Sequence, residues 1–373
     1  MFNSYLSEKL EHFDSSDFRR AMAMQSLLKN PVDLSIGVPE ELTPKHIKKS
    51  GIKAIKNDKT TYTPANGIPE LREALAQKLF NDNNIPATAD SVSIVPGLTT
   101  GQLLVYMALI NQGDEIIVFD PYYPPYTNLA RACGATVVLI STLPSFQPDL
   151  QALEANITDK TKLIIINSPN NPSGAVYSED NLRKIADIAE KHNILVISDE
   201  IYEHFTYEIK HFSIGSIYPK TLTMNGFSKE YAMTGWRLGY IHGPQEIIDA
   251  INNVQQYTVM SSSSIAQHAA LSALKNRPNI KDKYRKKRDF VLKNLKKLGF
   301  EVLGAEGAYY VFIKAPNDLT DLEYARLAAE HNLIIVPGRA FSEAHGYVRL
   351  SYGADMKTLE KGMKIISKIN QII

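Results

Sequence analysis

The sequence predicts an α/β fold: a large domain with a mostly parallel, roughly seven-stranded sheet between helices, then a smaller α+β domain. Three observations carry that expectation. Short Val- and Ile-rich runs recur between residues 91 and 243, too short for helices and closed by polar, Gly or Pro residues. Helix-like patterns lie between several of them, and such alternation gives parallel sheets covered by helices. From about residue 264 the chain turns helical and basic, and short strands follow.

In chain order the buried runs are SVSIVPG (91–97), EIIVFDP (115–121), ATVVLIS (135–141), KLIIINSP (162–169), ILVISDE (194–200), TLTMNGF (221–227) and RLGYIHG (237–243). Between the fourth and fifth, SEDNLRKIADIAEKHN reads as a helix. Ser178 can cap it, and Leu182, Ile185, Ala186 and Ala189 form an apolar stripe. The basic stretch around 281–297 reads as the solvated face of a helix, because acidic residues elsewhere offset its charge. AYYVFIK, LIIVPG and YVRLSYG read as short strands, and a final helix runs from Met356. The expected division is an N-terminal segment, 1–40, packing with the smaller domain, a large domain, 41–264, and a small domain, 265–373.

Composition narrows the function classes. The chain has 373 residues and a formal net charge of +1, so no basic footprint for nucleic acid is expected. One cysteine, Cys133, cannot form an intramolecular disulfide and reads as a packing residue; a cytoplasmic location fits. The N-terminus has early charges and no apolar core of signal-peptide length. No apolar run is long enough to cross a bilayer, so no membrane partner is expected.

In a parallel sheet, ligands bind beyond the carboxyl ends of the strands. After the first run come Gly97, Leu98, Thr99 and Thr100, a glycine turn with hydroxyls at a helix start, which suits phosphate. After the second come Tyr122, Tyr123 and Tyr126; after the fourth, SPNNPSG; after the fifth, Asp199 and Tyr202. The stretch TLTMNGFSKEYAMTGWRLGYIHG (221–243) is apolar at both ends yet carries Lys229 and, where the next strand is expected to begin, Arg237, preceded by the single tryptophan, Trp236. Each residue alone has an ordinary use: Asp199 as a cap, SPNNPSG as a turn, Lys229 as a solvated lysine. Strand-end placement gathers them on one lip of the sheet. A desolvated lysine among cations has a depressed pKa and can form a Schiff base. A carboxylate facing a pyridine nitrogen keeps it protonated. Arginine and backbone N–H groups bind phosphate, and an aromatic ring stacks on a pyridine. This set fits pyridoxal 5′-phosphate (PLP). No metal is expected.

The chain resembles the class I/II PLP-dependent aminotransferases, the fold type I enzymes, and within them the prokaryotic aspartate and aromatic branch. YTPANGIPELREALA, NSPNNPSGAVYSE, SDEIYEHFTYE, NGFSKEYAMTGWRLGY and VPGRAFSEAHGYVRLSYG look like family motifs in family order, over nearly the whole chain. The resemblance implies that Lys229 joins the cofactor covalently and then carries the substrate's α-proton. It implies that Asp199 is the pyridinium partner and that Tyr202 and Asn171 contact the ring O3′. A cis peptide before Pro172 is a family habit. Tyr123 takes the place of the stacking aromatic. Arg237, the backbone of Gly97, Leu98 and Thr99, and Ser228 surround the phosphate. Arg349 grips the substrate α-carboxylate as a planar fork, with Gly37 and Asn171 lining the substrate site. Tyr62 reaches the phosphate of the partner subunit, which implies a homodimer with shared active sites.

Two positions depart from the family pattern. Gly226 stands where many members have a serine three residues before the lysine, so one phosphate hydroxyl is missing or replaced. Thr99 stands where many aspartate-type prokaryotic relatives carry a lysine that reads a distal carboxylate. That favours aromatic or other neutral amino acids as donors, with 2-oxoglutarate as the acceptor by family habit. An acidic substrate would need an arginine or lysine from elsewhere, or from the partner subunit. The alternatives are an aspartate aminotransferase or a PLP C–S β-lyase, which share the cofactor residues. A non-enzymatic PLP-binding regulator is disfavoured, because only about thirty residues precede DLSIGVPE, too few for a helix-turn-helix module.

Overall fold

The computed structural model describes residues 5–13 and 28–373. Of the N-terminal segment, residues 1–4 and 14–27 lie outside the described residues. The strands are β1 (Val32–Asp33), β2 (Val92–Val95), β3 (Glu115–Asp120), β4 (Thr136–Ser141), β5 (Thr161–Asn167) and β6 (Leu195–Asp199). They continue as β7 (Thr221–Gly226), β8 (Gly239–His242), β9 (Tyr310–Lys314), β10 (Leu333–Ile334), β11 (Val336–Pro337) and β12 (Tyr347–Ser351). The helices are α1 (Lys45–Lys56), α2 (Pro69–Asn83), α3 (Leu98–Leu109), α4 (Pro125–Ala132), α5 (Leu150–Ala155) and α6 (Glu179–Lys191). Then come α7 (Gln245–Thr258), α8 (Ser264–Lys275), α9 (Lys281–Lys297), α10 (Asp321–Glu330) and α11 (Met356–Ile369).

Seven strands form the main sheet in the order β2-β8-β7-β6-β5-β3-β4. Pairings from β7 to β4 are parallel, whereas β8 is antiparallel to both β7 and β2. The start of β8 therefore lies on the lip where the other strands end. Period-2 alternation builds a core on each face. On β5, Leu163 and Ile165 join one cluster with Val118 and Ile197, while Ile164 and Ile166 join the opposite cluster with Ile117 and Val196. Helices cover both faces. Ser178 caps α6 as expected, its hydroxyl accepting from the Asn181 N–H.

After the sheet, α8 buries Ala266, Ala269, Ala270 and Ala273 in a cluster shared with Leu71, Leu75 and Leu79 of α2. Strands β11, β12 and β9 form a separate antiparallel sheet. LIIVPG, read as one strand, divides at buried Ile335: β10 pairs with β1, and β11 pairs with β12. The short run serves two partners on different sheets, which its apolar pattern does not reveal. Residues 237–238 are likewise not strand. Arg237 closes a 3₁₀ turn with φ 51°, and β8 begins at Gly239. No helix among the described residues is long and apolar enough to cross a membrane.

Candidate active site

A cavity of about 640 Å³ opens at the carboxyl lip of the main sheet, where β9, β12 and the turn after β11 face it. Gly37, Leu98, Thr99, Tyr123, Asn171, Asp199, Tyr202, Ser228, Lys229, Arg237 and Arg349 all line it. Gly97 lies directly behind Arg237. Tyr62 does not line the cavity and is 82% exposed on the single chain.

Lys229 follows β7 by three residues. Its Nζ donates to the Gly37 carbonyl at 2.8 Å and sits 5.8 Å from the centre of the Tyr202 ring. Burial, then Arg349 and Arg237, bring the amine down to about 8, against the pull of Asp199. About a tenth of the amine is therefore neutral and nucleophilic at pH 7, far more than for an ordinary lysine. Gly37 is needed where it stands, because a Cβ there would collide with the Tyr310 hydroxyl. The Tyr309 hydroxyl also donates to the Gly37 carbonyl, at 3.0 Å.

Asp199 ends β6 with its carboxylate buried. Its Oδ2 accepts from the Tyr126 hydroxyl at 2.6 Å and its Oδ1 from the Ile201 N–H at 3.1 Å. Burial pushes the carboxyl up to about 6, although Tyr126 pulls it down. Among the described residues the aspartate thus has donors but no cation bonded to its oxygens, which is the setting a protonated ring nitrogen would complete. Sequence reading placed Tyr126 in an aromatic plate and missed its bond to Asp199; the signal was its place on the first turn of α4, three residues after Tyr123.

The phosphate-type pocket is made by glycine geometry. Gly97 precedes α3 with φ 86° and ψ 152°, a conformation open to glycine and costly for other residues. A Cβ there would lie 2.5 Å from Arg237 Nη2. Arg237 Nη1 donates to the Thr234 carbonyl at 3.0 Å. Gly226 is buried in β7, and a Cβ there would meet the Gly239 Cα and the Leu238 carbonyl at 3.0 Å. Close backbone packing therefore accompanies the glycine that replaces the common serine.

Arg349, on β12, is buried. Its Nη1 donates to Asn171 Oδ1 at 2.9 Å and its Nη2 to the Ser35 carbonyl at 2.6 Å. The guanidinium carbon lies 4.4 Å from the Phe341 ring centre and 4.7 Å from that of Tyr310. Burial holds it below the usual arginine range. Among the described residues its Nε is buried without a hydrogen-bond partner, which leaves a buried donor to be satisfied. Asn171 is braced by its own N–H on Asn167 Oδ1 at 2.8 Å, and the Asn171–Pro172 peptide is cis. The Tyr202 hydroxyl is 2.9 Å from that of Tyr310. Tyr310 and Phe341, both in the cavity wall, were not singled out from sequence.

Behind β6, Glu200, Glu203 and His211 place ligand-type atoms within 4.8 Å of one another. Lys78, Asn83, Ser198, Ser213 and Asn225 already bond to these carboxylates. The carboxylates of the cluster are thus already engaged in a polar network next to the strand that carries Asp199, while His211 Nδ1 is buried without a partner among the described residues.

The family model described as "Aminotransferase class I and II" matches residues 29–366. The chain belongs to this family. It is 39% identical to the aspartate/prephenate aminotransferase of Thermus thermophilus, over 91% of this chain and 90% of that one. It is 34% identical to aromatic-amino-acid aminotransferase 2 of Thermococcus litoralis, over 98% of each. The structure of Thermus thermophilus aspartate aminotransferase with maleate superposes with a TM-score of 0.92 at 36% identity, covering 98% of this chain and 99% of that one. The protein is thus an enzyme of amino-group transfer with the fold type I architecture, as its sequence led us to expect. Class I and II aminotransferases generally depend on PLP. The cavity fits that cofactor: an amine near pKa 8, a buried carboxylate lacking a cation on its oxygens, and a glycine cradle against an arginine.

Proposed function

We propose that this aminotransferase binds PLP in the described cavity. It moves the amino group of an L-amino acid, aromatic or other neutral donors favoured, to 2-oxoglutarate in a ping-pong cycle. The observation that carries the reading is the meeting of Lys229, Asp199, Arg237 and Arg349 in one cavity. When bound, the cofactor supplies a protonated pyridine ring that withdraws electrons from the substrate α-carbon. Asp199 holds that ring nitrogen protonated, with Tyr126 fixing the carboxylate. Tyr202 and Asn171 would help hold the ring by hydrogen bonds, and Tyr123 would pack against it. Arg237, Ser228 and the backbone of Gly97, Leu98 and Thr99 would hold the phosphate. Arg349 orients the α-carboxylate, with Gly37 and Asn171 beside it, so that the α-hydrogen faces Lys229. Lys229, lowered in pKa, would take the α-proton on its Nζ and hold it for return. A neutral donor is supported by Thr99, which offers no charge where an aspartate reader would stand.

The assembly in this proposal is a homodimer in the cytoplasm, with Tyr62 reaching the partner's phosphate site. The exposure of Tyr62 and of Tyr257, at 82% and 89%, supports a covered face. Borohydride reduction of the PLP-loaded protein followed by peptide mapping tests the core of the reading. Cofactor mass on the peptide containing Lys229 is the expected result. Label elsewhere, or none, contradicts it.

A further inference from the structure

We propose that Tyr309 is a positioning residue for Lys229: its hydroxyl holds the Gly37 carbonyl that receives the lysine amine, and so loosens that carbonyl's hold on the proton the amine carries. The inference rests on the reading of Lys229 as the proton carrier of a transaminase and deepens it.

Gly37 lies midway along a strap whose two ends are tied down. The Leu34 N–H donates to the Ile334 carbonyl at 2.9 Å, and the Glu40 N–H donates to the Gly353 carbonyl at 3.1 Å. Between these ties the Gly37 carbonyl accepts from Lys229 Nζ at 2.8 Å and from the Tyr309 hydroxyl at 3.0 Å. Two donors fill the two lone pairs of a carbonyl oxygen. Tyr309 directly precedes β9, and its own carbonyl accepts from the Tyr352 N–H at 2.9 Å. Its ring is buried, with the ring centres of Tyr310, Phe205 and Tyr202 at 4.8, 5.2 and 5.3 Å. That packing fixes the ring and keeps the hydroxyl on the carbonyl.

The shared carbonyl sets the sign of the effect. An ammonium grips a carbonyl more strongly than a neutral amine does, because its bond is charge-assisted. A hydroxyl on the same oxygen draws off electron density and aims its own positive end at the place of the ammonium. Tyr309 therefore favours the neutral amine. Burial holds its hydroxyl well above the usual tyrosine range, so it remains a donor wherever Lys229 titrates. The charged groups facing the amine are Arg349 from β12 and Arg237 from the turn before β8, which also favour the neutral form, and Asp199 at the end of β6, which opposes them. Tyr202 and Tyr310 complete the wall, and burial keeps both phenols protonated. The Tyr310 hydroxyl is engaged with that of Tyr202 at 2.9 Å. When Lys229 leaves the Gly37 carbonyl to act, Tyr309 keeps that carbonyl satisfied and in place for the return.

The test uses cofactor-free protein, in which cyanate carbamylates lysine amines in their neutral form. Peptide mass spectrometry follows the rate at Lys229 across pH, and the midpoint of that profile reports the proton affinity of the amine. Tyr309→Phe keeps the ring and removes the hydroxyl. It should raise the midpoint by about 0.3–1 pH unit, the worth of one neutral hydrogen bond. Tyr284→Phe is the packing control. Its ring centre lies 5.7 Å from that of Tyr309, and its hydroxyl donates to Glu41 Oε2 at 2.7 Å rather than to Gly37. Its midpoint should match that of the unsubstituted protein. In the PLP-loaded protein, Tyr309→Phe should lower kcat by about 2- to 10-fold and leave KM for the amino donor within about threefold. A midpoint in Tyr309→Phe that stays put or falls overturns the assignment, and so does an equal rise in Tyr284→Phe or a loss confined to KM. A rise peculiar to Tyr309→Phe in a protein that transfers no amino group sinks the transaminase reading and leaves Tyr309 its hold on the amine. An unmoved midpoint in a protein that does transfer leaves that reading intact and ends this one.

Discussion

The Lys229 amine sits in a pocket that lowers its proton affinity, and the direction of that shift sets a pH dependence. The neutral amine is the nucleophile, and its fraction grows as pH rises through about 8. The rate at which cofactor-free protein takes up PLP should therefore climb across that range. Arg349 is the largest charged contributor to the lowering, so Arg349→Met should move the midpoint upward. A midpoint that stays put in stopped-flow absorbance would contradict this assignment of cause. Asp199 supplies a second test, because Tyr126 is the hydroxyl donor on its carboxylate. Tyr126→Phe leaves Asp199 Oδ2 without that donor and should lower kcat by about 10- to 100-fold, from a bond to a charged group worth about 1.5–3 kcal/mol. Unchanged steady-state turnover would show that the hydroxyl only packs.

Strand ends and glycine turns position these side chains, and one antiparallel strand matters most. Because β8 runs against β7 and β2, the loop from Gly226 to Gly239 returns to the same lip and brings Lys229 and Arg237 together. That answers why a stretch with two apolar ends carries two cations. At the start of α3, Gly97→Ala should cost about 1–3 kcal/mol in backbone strain and also push Arg237 away. PLP affinity, read by absorbance titration, should fall at least about tenfold; an unaltered affinity would remove Gly97 from the account. At this scale the sequence was legible where a strand meets punctuation. Lys229, Asp199, Asn171 and Arg237 were found because each follows or precedes an apolar run. Tyr310 and Phe341 were not found, because their place in the cavity wall depends on closure between the main sheet and β9–β12; Tyr126 was found at its strand end, but its bond to Asp199 was not. The split of LIIVPG was hidden for the same reason: hydropathy records burial and not which sheet a strand joins.

For the whole molecule, the strand alternation and the five ordered motifs made the architecture readable before any coordinates, and the family match agrees with it. What the single chain leaves exposed bears on assembly. Sedimentation should give twice the 41.7 kDa chain mass. Tyr62→Phe should weaken PLP binding about tenfold without changing that mass if, as proposed, the lost hydroxyl serves the neighbouring subunit. A monomer of full activity would contradict the shared site. The central claim, that this cavity transfers amino groups through PLP with a neutral donor favoured, is tested most directly by one titration. Single amino acids are added to the PLP-loaded protein without any oxo acid, and the absorbance is followed. Phenylalanine or tyrosine should convert the cofactor to its amino form far more readily than aspartate, with one equivalent of oxo acid released. Preferential conversion by aspartate would overturn the neutral-donor reading, and release of pyruvate and ammonia with the cofactor spectrum unchanged would contradict transfer itself.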